Sequence, residues 1–205
     1  SLASCCRLRN ELADNTFSYT LGAGGVSTGS VQVITINMNR FIQRHHKGVY
    51  AFPDLIKRVQ KYLMAHRAVI EDYLKAGLLP AYSAGFISLD KQFCTIGING
   101  MLEGMEYLRV DPTKDADLYI KTVSGFLNQI YTLNKEAYKD YKVRFNTEFV
   151  PAENLGVKNA QWDKADDIKS NRDCYNSYFY PVENDDMTIL DRLKLHGKEM
   201  VKYLD

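Results

Sequence analysis

Gly85-Phe86-Ile87-Ser88-Leu89-Asp90-Lys91-Gln92-Phe93-Cys94-Thr95-Ile96-Gly97-Ile98-Asn99-Gly100 reads as a short apolar strand that runs into a polar turn, places one cysteine at the tip of a tight segment and leaves through two glycines. Met101 to Leu108 continues with helical spacing. Cys94 has two readings. A free cysteine is ordinarily a small buried hydrophobe. Against that, Asp90, Lys91 and Gln92 interrupt the apolar run just before the thiol, and Gly97 and Gly100 permit close backbone approach or positive φ. The second reading is a single thiol held out on a rigid support.

Outward from this stretch the chain alternates. Val31 to Met38 reads as a strand, with Ile34, Ile36 and Met38 on one face and Val33, Thr35 and Asn37 on the other. Apolar residues on both faces suit an interior strand of a mixed or parallel sheet. Pro53 to Ala76 has apolar residues at three- and four-residue steps and ends at Gly77, which predicts a helix. Ala116 to Tyr141 repeats the pattern, so two helices bracket the cysteine stretch and brace it from outside. Val143 to Val150 alternates as a strand, Pro151-Ala152-Glu153 reads as a helix entry with its acid complementing the dipole, and the charged run Asp163 to Asp173 reads as a surface connection. Tyr175 to Pro181 is aromatic and strand-like, and Thr188 to Leu204 has the spacing of an amphipathic helix. This order predicts an α/β fold with strands inside and helices outside.

Composition narrows the functional classes. A chain of 205 residues is one ordinary domain or part of a larger one, and 45% hydrophobic with 25% charged residues suits a globular protein with a sizeable core. A net charge of +1 gives no electrostatic footprint for nucleic acid or an anionic membrane. No apolar run approaches the length of a bilayer span. The four cysteines lack the paired spacings of a zinc site or a disulfide framework, which fits a reducing cytoplasm. His45 and His46 read as a solvated loop, since neighbouring histidines do not share a helix face and no carboxylate lies close; His66 reads as a hydrogen-bonded core histidine.

Two N-terminal stretches carry chemistry. Cys5 and Cys6 stand beside Arg7 and Arg9, whose charges favour thiolate; the alternative places one in the core and one in a loop. Leu21-Gly22-Ala23-Gly24-Gly25-Val26-Ser27-Thr28-Gly29-Ser30 has four glycines and three hydroxyl side chains. Its amides suit an anion nest, but the Gly-Lys-Ser/Thr ending of a P-loop is missing.

Phe93-Cys94-Thr95-Ile96-Gly97-Ile98-Asn99-Gly100-Met101-Leu102-Glu103 resembles a stretch of the anaerobic, class III ribonucleotide reductases, and three further stretches agree in order: Ser4-Cys5-Cys6-Arg7-Leu8, Gly24 to Ser30 leading into Val33-Ile34-Thr35-Ile36-Asn37, and Tyr175-Asn176-Ser177-Tyr178. The resemblance implies an internal portion, residues 1–205, of a ten-stranded α/β barrel with a central finger loop carrying Cys94, the N-terminal regulatory region and C-terminal glycyl-radical region being absent. It implies reduction of ribonucleoside triphosphates to 2′-deoxyribonucleoside triphosphates through a thiyl radical on Cys94, with the isolated piece inactive. Asn176 and Ser177 are implied near substrate, and Gly24, Gly25, Ser27, Thr28, Gly29, Ser30 and Asn37 in substrate or effector binding.

No cofactor or metal is expected within this segment. The parent is expected to use a glycyl radical, formate or a redoxin as reductant, ATP and deoxynucleotide effectors, and zinc in its C-terminal region. Its expected partners are a radical S-adenosylmethionine activating enzyme with an iron–sulfur cluster and a second copy of itself. Two other readings stand beside this one: a different glycyl-radical enzyme acting on a small metabolite, and a non-catalytic nucleotide-binding module.

Overall fold

A computed structural model describes residues 29–45, 51–150, 153–185 and 187–204. Cys5, Cys6, Gly24, Gly25, Ser27, Thr28 and His46 lie outside the described residues. The chain order is β1 (Gly29–Asn37), α1 (Met38–His45), α2 (Ala51–Lys75), α3 (Pro80–Ser83), β2 (Gln92–Asn99), α4 (Met101–Tyr107), α5 (Ala116–Tyr141), β3 (Phe145–Phe149), α6 (Glu153–Ala165), α7 (Ile189–Leu195) and α8 (Lys198–Val201).

The strands form one parallel sheet in the order β1-β2-β3, so β2 is bonded on both sides. A strand has a side-chain period of two, and the register Ile34↔Ile96↔Thr147 and Thr35↔Gly97↔Glu148 sorts the residues into two faces. One face collects Ile34, Ile36, Cys94, Ile96, Ile98, Phe145 and Phe149, all in or against the main apolar core. The long helices α2 and α5 pack on it through Phe52, Ile56, Val59 and Leu63, and through Val123, Leu127 and Ile130. Burying an aliphatic side chain as completely as Ile96 or Ile98 contributes about 2 kcal/mol. A polar thread crosses this core, from Gln60 of α2 to Asn134 of α5 to Thr147 of β3.

Both long helices form where their spacing places them, and each end has a local cause. Asp115 caps α5 by accepting from the Leu118 amide at 2.9 Å, and Lys142 closes it in the left-handed conformation. Arg67 of α2 is buried and donates to the Leu89 carbonyl at 2.9 Å, which fixes the one-turn 3-10 segment Leu89–Lys91 that launches β2. Apolar and aromatic side chains at the margins of the two helices fall outside the core: Tyr62, Tyr73, Leu118 and Tyr138 are exposed. His66 Nδ1 is buried and bonds none of the described residues.

Several expectations are corrected. Cys94 is not at a loop tip: it is the third residue of β2, bonded into the centre of the sheet. The apolar stretch before it is no strand, and Phe86 is exposed. Three strands stand among the described residues; they neither display nor contradict the ten-stranded barrel and finger implied for the intact enzyme. Residues 175–181 are an irregular strap, because the Asn176 side chain accepts from the Tyr178 amide and donates to the Tyr180 carbonyl, satisfying the backbone locally instead of along a ladder. The C-terminal helix is two short ones broken at Gly197, which caps α8; Leu195 and Met200 are buried while Ile189, Leu190 and Leu193 face outward. No described helix is long and apolar enough to cross a membrane.

Candidate functional site

The second face of the sheet is polar. Val33, Thr35 and Asn37 from β1 align with Thr95, Gly97 and Asn99 from β2, and Asn146 and Glu148 of β3 complete the rows. A sheet packed by helices on its apolar face leaves this one for another layer or a ligand. Its first row is cross-linked: Ser30 Oγ lies 2.7 Å from Thr95 Oγ1, and the Thr95 hydroxyl donates to Asn146 Oδ1 at 2.6 Å. Thr95 and Asn146 are both buried, so these bonds replace the water they lose.

Gly97 shapes the second row. A side chain there would put its Cβ 2.4 Å from Thr35 Oγ1 and 2.8 Å from Val150 Cγ2, so the missing side chain is what admits Thr35 and Val150 over the backbone. Gly100 has the other glycine property, φ of +71°, which turns the chain from β2 directly into α4. The polar face therefore ends abruptly at Asn37 and Asn99. In parallel sheets this carboxyl end of the strands is where ligands bind.

That end is a closed hydrogen-bonded floor. Asp163 is 0% exposed and accepts from Asn37 Nδ2 at 3.0 Å, Asn39 Nδ2 at 3.1 Å, Arg40 Nε at 2.6 Å and the Tyr175 hydroxyl at 2.6 Å. Asn159 donates to Asn99 Oδ1 at 2.8 Å, and Asn99 in turn donates to the Asn176 carbonyl at 3.3 Å. Burial, and then the bond to Asp163, push the Tyr175 hydroxyl upward and keep it a proton donor. Asp163 stands at the head of the run expected to be a surface connection, and it is instead the hub joining α6, β1, α1 and the strap. Its charge made it look solvated; only the neighbours supplied by the fold show why it is inside.

The expected site residues divide. Ser30 and Asn37 are on the polar face and Gly29 starts β1 beside them. Asn176 reaches the carboxyl end of β2, but its side chain is committed to its own strap; Ser177 next to it is half-buried. Cys94 is 0% exposed and belongs to the apolar face, with Ile96 and Ile98. Burial pushes its thiol up to about 11, only partly countered by Arg67, so it is held as a neutral thiol. Missed altogether were Thr95, Asn146, Thr35 and Asn99. The two-residue period of Phe93/Thr95/Gly97/Asn99 against Cys94/Ile96/Ile98 carried the signal. Among the described residues no group of three His, Cys, Asp or Glu could hold a metal ion.

Solved structures of known proteins share this fold. The anaerobic ribonucleotide reductase from Thermotoga maritima with dATP bound in the specificity site is 28% identical, with a TM-score of 0.79, over 86% of this chain and 32% of that one. The same enzyme in complex with dATP and CTP is 26% identical at a TM-score of 0.80, over 87% of this chain and 31% of that one. The form with citrate in the active site gives 27% and 0.80, over 87% and 34%. The chain thus spans about a third of the length of these solved relatives. No curated protein matches it. The family of anaerobic ribonucleoside-triphosphate reductases matches residues 1–204, nearly the whole sequence, and the chain belongs to that family.

Proposed function

We propose that the protein is a portion of an anaerobic reductase that converts ribonucleoside triphosphates to 2′-deoxyribonucleoside triphosphates, and that the polar face of its sheet contributes to the substrate site. The observation that carries this reading is the two-faced sheet: three parallel strands braced by α2 and α5 on one side present rows of hydroxyl, amide and carboxylate side chains on the other. A ribose with its hydroxyls needs donors and acceptors held still. Thr35 and Glu148, both part-exposed, supply them from a bonded ladder backed by the buried Thr95–Asn146 pair, which loses little freedom when a ligand binds. The solved relative that holds CTP and dATP supports a nucleotide of this class.

On this proposal the thiyl radical expected of the family is not carried by Cys94. A thiol that takes a hydrogen atom from ribose must touch it, and Cys94 lies in the apolar layer on the opposite side of β2. The other cysteine among the described residues, Cys174, is exposed and lies outside the strands. What these residues do is bind and orient the sugar and exclude water from one wall of the site. The glycyl radical, its activating enzyme, the reductant and dimerisation belong, on this proposal, to the intact enzyme.

The test is anaerobic turnover of a ribonucleoside triphosphate by the activated intact enzyme, with deoxynucleotide separated by chromatography and the radical checked by electron paramagnetic resonance. Glu148→Gln and Thr35→Val are expected to raise KM about tenfold or more, the loss of one or two hydrogen bonds, while Cys94→Ala still turns over. Radical formation without any deoxynucleotide from any ribonucleoside triphosphate overturns the reductase reading. Unchanged KM in both polar-face variants removes the sheet face from the site.

A further inference from the structure

Glu103 is the buried ionisable group for which the proposed chemistry has no use. It stands in the first turn of α4, three residues beyond Gly100, and is 2% exposed. Oε1 accepts from the Asn176 backbone amide at 2.8 Å. Oε2 is buried and has no hydrogen-bond partner. The nearest cation, Arg172, has its Nε 3.8 Å from Oε1, but the same guanidinium is bonded to Glu106 and, at 2.7 Å, to Glu183. From α5 the neighbouring group is Tyr119, which is neutral because burial pushes its hydroxyl upward, and whose proton goes to the Phe179 carbonyl.

These contacts fasten one segment, the strap 175–181, which Arg172 and Glu183 flank and join by their ion pair. Tyr175 and Phe179 are its buried anchors. Between them Asn176 is pinned from both sides of its peptide: its carbonyl accepts from the Gly100 amide at 3.2 Å and from Asn99, and its amide reaches only Glu103. The strap therefore lies over the carboxyl end of β2.

We propose that Glu103 is the pin that holds the strap closed over the end of β2, and that ionising Glu103 loosens it. With Glu103 neutral, one guanidinium faces two carboxylates, Glu106 and Glu183. Ionised, Glu103 adds a third, with Oε2 lacking any donor. The relief is water, which enters when the strap lifts. Burial, partly offset by the Asn176 bond, pushes the closed-state carboxyl up to about 7 from its ordinary 4.5. By linkage, a proton held more tightly in the closed state means that raising the pH favours the open one. The effect develops between about pH 4.5 and pH 7 and levels off above it. This device does not depend on the reductase reading, and its test does not use turnover.

Hydrogen exchange at the Asn176 amide of the intact protein, resolved to single residues and corrected for intrinsic pH dependence, decides it. Wild type is expected to exchange about tenfold or more faster at pH 8 than at pH 5.5. Glu103→Gln, which keeps an acceptor and cannot ionise, is expected to be flat across that range. Glu103→Ala, shown folded by circular dichroism, is expected to exchange fast throughout. A wild-type profile as flat as that of Glu103→Gln, or Asn176 protection retained in Glu103→Ala, overturns the proposal.

Discussion

At the scale of single residues, side chains of the same apparent kind were sorted by what stood opposite them. Gly97 and Gly100 are three positions apart at the end of one strand, yet one is needed for space and the other for its backbone angle. Gly97→Ala is expected to destabilise by about 1–3 kcal/mol through overpacking, read as a lower denaturation midpoint. Thr35→Ala in that background removes the atom 2.4 Å from the new Cβ and is expected to restore part of the loss. Cys94 lost its expected place at a loop tip because the period of two sends it to the helix-covered face. It is expected to resist alkylation in the native protein while reacting in denaturant, since it is both buried and un-ionised near neutral pH. Modification of native Cys94 at the rate of a free thiol is the result that would refute this placement.

Among the elements, the parallel sheet and the two long helices were legible because their periodicity extends over many residues. The strap and the C-terminal helices were not. Tyr175 to Pro181 has strand composition, but Asn176 turns its own side chain onto the neighbouring backbone and diverts the segment from the sheet. In α7 the apolar spacing holds while the faces are reversed, with Ile189 77% and Leu190 76% exposed; spacing defines a stripe and not which way it points. The joint between α6 and the rest depends on Asp163. Asp163→Ala is expected to cost about 1–3 kcal/mol, because it leaves the Asn37, Asn39 and Tyr175 donors without their acceptor in or beside the interior, while Arg40 keeps Asp166. A thermal melt within a degree or two of wild type would show that the hub is dispensable.

For the molecule as a whole, Glu103 ties stability to pH. Its folded-state carboxyl near 7 lies above the ordinary 4.5, so the folded chain binds more protons than the unfolded one between those values. Stability contributed by the bound proton is fully present at the acid end and is lost as pH rises through about 7. The full effect is about 3 kcal/mol. His196 works the other way, since burial lowers its pKa and stability is lost as it is forced to charge on acidification. Only the difference between wild type and Glu103→Gln isolates the carboxyl, and urea midpoints are expected to favour the variant increasingly from pH 5 to pH 8. Parallel midpoints across that range would refute the buried carboxyl as a proton-linked group.

The sequence by itself determined the class of the fold, the two bracketing helices, β1 and β3 to within a few residues, and the family, because period, capping and motif order are properties of neighbours along the chain. It also held the two-faced pattern of β2, which went unread beside the single cysteine. Only the tertiary structure decided which face of β2 the thiol occupies, that Asp163 is a buried hub and Glu103 a buried pin, and that Asn176 closes a strap. The physical reason is common to all four. Whether a polar or ionisable side chain is inside depends on donors and acceptors brought from tens of residues away, Asn37 and Tyr175 to Asp163, Asn176 to Glu103. No local pattern encodes that pairing.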